Sequence, residues 1–202
     1  MTRIKRSKWT QQELRAKRRT LVKERDCLIW RQQLLDKLKS VKKSKGLTMD
    51  FPSSIEGDPT YAYLKARLLH NGKPIIETGN YIKREQGKVI LEISEVQGLE
   101  SSTEDRKSIL KKTGDPASVN LVQMVIDAAY KTGIDSVKLQ DIEQTNSYKN
   151  PLFKNRPKLL REKKLTAEIN RRQIAMRHLY NIIKSRCGFK KKSGEFFVIN
   201  FP

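Results

Sequence analysis

Cysteine and histidine are nearly missing from this 202-residue chain: Cys27, Cys187, His70 and His178 are the whole supply. Two thiols so far apart in sequence offer no disulfide framework, so a reducing, intracellular compartment is expected. No Cys/His spacing suits zinc. Neither a glycine-rich phosphate loop nor a nucleophile elbow occurs. Glu77, Glu92 and Glu95 lack the Asp-then-Glu-x-Lys arrangement of metal-dependent nucleases. Arg177-His178-x-Tyr180 would crowd a recombinase's residues onto one short helix, without the further basic groups that chemistry needs. The expectation is a non-enzymatic protein with no cofactor and no metal.

Long apolar runs are missing too. None approaches the roughly 20 residues that span a bilayer, so no membrane partner is expected. The opening stretch MTRIKRSKW lacks the apolar core of a secretory signal. It is Arg-rich and acid-poor, as transit peptides are, and Lys42-Lys43-Ser44-Lys45 has the weak pattern of a nuclear import signal. Nuclear, cytoplasmic and mitochondrial addresses therefore all stay open.

What the chain has in excess is positive charge. It carries 43 Lys plus Arg against 22 Asp plus Glu, a net +21, while hydrophobic residues make up 37%. The excess is segregated. Residues 1–45 hold 16 Lys/Arg against four acids, and residues 148–192 hold 15 against Glu162 and Glu168. Residues 46–147 hold 12 Lys/Arg against 15 acids. Charge gathered into blocks, rather than scattered for solubility, marks surfaces that meet a polyanion. Counterion release then drives binding to DNA or RNA.

Residues 10–43 read as one long basic helix. Thr10 and Glu13 form a capping-box pair, and no Gly or Pro interrupts before Gly46. Leu14, Leu21, Leu28 and Leu35 recur every seven residues, the spacing of a coiled-coil seam. Val22, Ile29 and Leu38 widen the stripe, but Arg18, Arg25 and Gln32 occupy the flanking seam positions, so an amphipathic helix laid on a partner or on the rest of the chain is favoured over a self-sufficient zipper. Arg15, Arg18 and Arg19 would contact phosphates.

The middle region is read as a linker over 46–59 followed by a small β-containing part. Residues 61–70 are ambiguous between helix and strand. Tyr81 to Val96 alternate as a hairpin around Glu85-Gln86-Gly87-Lys88, and Ile75 and Ile76 add a candidate strand. Residues 101–113 read as a short helix ended by Gly114. Asp115-Pro116 opens the next, with Gly133 at its C-terminal end.

The C-terminal part reads as three helices and a hairpin. After Gly133, Ser136 would cap a short helix bearing Leu139 and Ile142. A further helix runs from about Thr166 to Arg186, with Asn170, Gln173, Arg177, Asn181 and Lys184 opposite its apolar stripe. Such side chains pair with base edges and phosphates. Lys190, Lys191 and Lys192 then lead into a Ser193-Gly194 turn. Three helices followed by a basic hairpin resemble the winged-helix DNA-binding family over residues 116–201. That resemblance implies a third helix in the major groove and a wing on the backbone. Residues 146–165 depart from the family's tight turn; their Lys154, Arg156, Lys158 and Arg161 would grip phosphates.

The expected fold is thus α+β: a long N-terminal basic helix (1–46), a small β-hairpin middle region (47–114) and a C-terminal winged-helix-like domain (115–202). The expected function is non-enzymatic DNA binding, duplex DNA being favoured over RNA, in replication, transcription or genome packaging. Two alternatives stand beside it. One is an RNA-binding structural subunit of a ribosome-like particle. The other is a protein-interaction scaffold that uses Leu14, Leu21, Leu28 and Leu35.

Overall fold

The computed structural model describes residues 27–41, 46–52, 62–99, 103–149 and 162–201. The helices are α1 (27–40), α2 (Thr103–Thr113), α3 (Ala117–Thr132), the one-turn α4 (Asn146–Lys149) and α5 (Glu162–Cys187). The strands are β1 (Leu47–Asp50), β2 (Ala62–His70), β3 (Lys73–Glu85), β4 (Lys88–Gly98), β5 (Ser136–Gln140), β6 (Lys191–Ser193) and β7 (Phe196–Asn200). All seven strands join one sheet in the order β1-β2-β3-β4-β5-β7-β6.

The first four strands form a meander because the sequence supplies the turns. Asn71-Gly72 and Gln86-Gly87 sit at φ of 50°, 78°, 49° and 82°. Two consecutive positive-φ residues are what a tight two-residue hairpin requires. In β2, Ala62, Leu64, Ala66 and Leu68 are buried while Tyr63, Lys65 and Arg67 point to the other face. From β4 the chain crosses through α2 and α3 to β5, which runs parallel to β4. Such a connection needs helices because parallel strands cannot be joined by a hairpin. β7 then slots between β5 and β6, antiparallel to both.

The core lies between the sheet and its helices. Val122, Val125, Ala128 and Ala129 of α3 are fully buried, as are Leu64, Leu68, Ile82, Leu91, Val137 and Leu139 beneath or beside them. Helix α1 shares this core through Leu34 and Leu38, both at 0% exposure. The Trp30 ring lies 3.8 Å from where a Cβ would stand on Gly133, whose φ of 83° ends α3 in the left-handed conformation. Among the described residues β1 pairs with Arg67–His70 and not with the start of β2. There Arg31 Nε donates to the Tyr63 carbonyl at 2.7 Å, a side-chain cap on a strand edge.

This arrangement overturns the expected fold. The first described helix spans 27–40 and is a core element rather than part of a long basic arm; residues 10–26 lie outside the described residues. Its burial follows Leu34 and Leu38, whereas Leu28 of the heptad series is 56% exposed. The middle region is four strands of a larger sheet, not a small hairpin. The winged-helix arrangement fails at its second helix. Ser136–Gln140 is a strand, with Val137 and Leu139 in register with Leu91 and Ile93 on one side and Ile199 and Phe197 on the other. The hairpin of β6 and β7 exists, but it is an integral part of the sheet rather than a free wing. Pairing with two neighbours outweighed the weak local cap at Ser136, a case of tertiary context deciding a short segment.

Candidate nucleic-acid interface

Helix α5 is the element around which the sequence-derived site residues gather. One side packs on the core through Tyr180, Ile183 and Cys187, all buried, with Met176, Leu179 and Ile182 half-buried beside them. Cys187 Sγ donates to the Val119 carbonyl of α3 at 3.9 Å. Burial pushes this thiol up to about 12, with the Asp115 and Asp127 carboxylates adding to the rise. The opposite side exposes Asn170, Arg171, Ile174, Arg177, His178 and Asn181. Ile174 is 65% exposed, the barest large apolar side chain among the described residues.

Between these two sides runs a flank that meets the segment after β5 and the β6–β7 hairpin. Gln173 Nε2 donates to the Tyr148 carbonyl at 3.1 Å. The Arg177 guanidinium stands 5.2 Å from the Tyr148 ring and donates to Glu143 Oε1 at 3.1 Å. The Lys184 ammonium is 4.2 Å from the Phe197 ring centre, and Lys192 approaches the same ring at 5.5 Å. Lys192 also donates to Asp141 Oδ2 at 2.6 Å. At the start of the helix, Glu168 accepts from Arg171 Nε at 2.9 Å and Arg172 Nε at 2.8 Å. Those two arginines are 79% and 48% exposed. Solvent screens exposed pairs of this kind, so a phosphate can take the place of the carboxylate.

The sheet handles its charges differently. On the face bearing Tyr63, Lys65 and Arg67, Glu77 accepts from Lys65 at 3.1 Å and Arg67 at 2.9 Å. Lys83 is paired with Glu85 and Glu92, and Lys138 with Glu85. Burial alone would push Glu77 up, but the Arg67 and Lys65 donors hold it below its ordinary value. Hydrogen bonds from Lys138 and Lys83 likewise lower Glu85. On this face Lys65, Arg67, Lys83 and Lys138 are thus matched by Glu77, Glu85 and Glu92.

Of the expected nucleic-acid contacts, Asn170, Gln173, Arg177, Asn181, Lys184, Lys190 and Lys192 fall on α5 and the adjoining hairpin, and Lys191 begins β6. Arg15, Arg18, Arg19, Lys154, Arg156, Lys158 and Arg161 lie outside the described residues. In the leucine series Leu28 is exposed, Leu35 is half-buried, and Leu14 and Leu21 lie outside the described residues.

Sequence reasoning missed Asp141, Glu143 and Phe197 as companions of the basic side chains, because only the sheet topology brings them together; Tyr148 was visible as an aromatic within the basic block but equally as a core residue. Tyr180 entered the sequence reading only in the rejected Arg177-His178-x-Tyr180 pattern, and its hydrogen bond to the sheet was not visible there. Pairing of β4 with β5 stops at Ile93, yet β4 continues to Gly98. The freed Val96 N–H donates to the Tyr180 hydroxyl at 3.0 Å, and burial pushes that hydroxyl well above its ordinary value.

Among the described residues no group of three or more His, Cys, Asp or Glu is placed to hold a metal, and no helix is long and apolar enough to cross a membrane. No protein-family model matches the chain, and no curated protein matches its sequence.

Proposed function

We propose that this protein binds nucleic acid without catalysing a reaction, and that duplex DNA is the favoured ligand. The observation that carries the reading is α5: a helix anchored on one side, with Asn170, Arg171, Arg177 and Asn181 exposed on the other. A helix is about 10–12 Å across with its side chains. It fits the major groove of B-DNA, about 12 Å wide, and not the deep, narrow one of A-form RNA. Arg171, Arg172, Lys190 and Lys192 flank the helix where phosphates would pass, and the net charge of +21 supplies the long-range attraction. The test is competition binding with duplex DNA, single-stranded DNA and structured RNA at two salt concentrations. Duplex should win. Replacing Arg171, Arg172 and Arg177 together by Gln should weaken it about tenfold and flatten the log–log salt slope by about 3. An unchanged slope would remove α5 from the interface.

A further inference from the structure

Two acids sit among the cations of the proposed DNA surface, and both come from the short connection between β5 and α4. Asp141 precedes the single 3₁₀ turn Ile142–Gln144, and Glu143 lies within it. Neither hangs on a loose loop. The Asp141 backbone N–H donates to the Glu195 carbonyl in the β6–β7 turn at 2.7 Å, and Ile142 is buried. Thr145, buried at 3% exposure, donates back to the Ile142 carbonyl at 2.8 Å and closes the turn. The backbone that carries both carboxylates is therefore fixed against the β6–β7 turn, in the hairpin that also presents Lys192.

We infer that the Asp141 and Glu143 carboxylates stand where two phosphates of a bound nucleic acid go, occupying Lys192 and Arg177 until the ligand displaces them. The inference rests on the nucleic-acid reading and assigns two positions within that same site. The geometry is that of charge-assisted hydrogen bonds, 2.6 Å from Lys192 to Asp141 and 3.1 Å from Arg177 to Glu143. Each cation also lies over an aromatic ring, Phe197 for Lys192 and Tyr148 for Arg177, which fixes where the ammonium and guanidinium stand when the acid leaves. The Asp141 hydrogen bond, and secondarily the Glu143 charge, raise Lys192 above its ordinary value, so both acids act on this cation. Lys192, Arg177 and Glu143 are all more than half exposed. Water and a phosphate can reach both cations; the Glu143 position is open, whereas the Asp141 side chain is 14% exposed and must swing aside for a phosphate to reach Lys192 there.

The consequence is a built-in competitor that weakens contact with any polyanion that does not reach both positions at once. The experiment compares duplex-DNA affinity of the full chain, Asp141→Asn with Glu143→Gln, and a control of equal charge change, Glu104→Gln with Asp127→Asn, whose acids are exposed on α2 and α3. The first variant should bind about tenfold more tightly at low salt, and the control should change less than about twofold. Equal tightening in both variants would assign the effect to net charge and overturn the inference, as would no gain in either while the wild type binds. Absence of DNA binding in all three would instead remove the nucleic-acid reading together with the inference.

Discussion

At the scale of single residues, the sheet face shows how acids and bases are matched. Glu77 is buried among its strand neighbours and accepts from both Lys65 and Arg67. Its carboxyl is held below the ordinary value against the upward push of burial. A group whose folded value is depressed contributes stability above its unfolded value and loses it as pH falls through the folded one. The wild type should therefore lose urea stability as pH drops below the ordinary carboxylate range, and Glu77→Gln should lose less over the same window. Parallel curves for the two proteins from pH 7 to 3 would mean the pairs are energetically silent. Tyr180→Phe belongs to the same scale. It leaves the Val96 N–H buried without an acceptor, which costs about 1–3 kcal/mol, read as a lower urea midpoint.

At the scale of elements, α1 is the instructive case. Its apolar stripe was legible in the sequence, and Leu38 of that stripe is buried together with Leu34, whereas Leu28 of the heptad is exposed. Seven-residue spacing says that one stripe is apolar, not which surface receives it, and here the receiver is the molecule's own core. Leu38→Ala should cost about 2–5 kcal/mol and lower a single cooperative transition. A separate early transition would show α1 unfolding by itself. The two hairpins were better served by sequence. Gln86-Gly87 and the alternation of Val89, Leu91 and Ile93 name the turn and the faces of β4 locally. Ser136–Gln140 could not be named locally, because five residues with Val137 and Leu139 are a strand only once β4 and β7 stand on either side. The stripe of α5 was largely readable from its periodicity. Its acid neighbours Asp141 and Glu143 were not, since they reach it from a distant stretch of chain.

At the scale of the whole molecule, a net charge of +21 acts on stability as well as on partners. Like charges repel most in the compact state, and salt screens them over about 10 Å at 0.1 M. Raising sodium chloride from 20 to about 300 mM should raise the melting temperature while weakening DNA binding, two opposite responses to one screening. A melting temperature that falls over this range would show that the ion pairs of the sheet outweigh the repulsion between the basic blocks.

The place of β7 bears on how the chain is made. Phe196–Asn200 follows every other strand in sequence yet sits inside the sheet, between β5 and β6. A ribosome delivers these residues after β1 to β5 have emerged. Until then one side of β5 offers its N–H and C=O groups to any passing chain. Nascent molecules stalled before Phe196 should therefore be the ones that associate with each other and recruit chaperones, and release of the last strand should end that exposure.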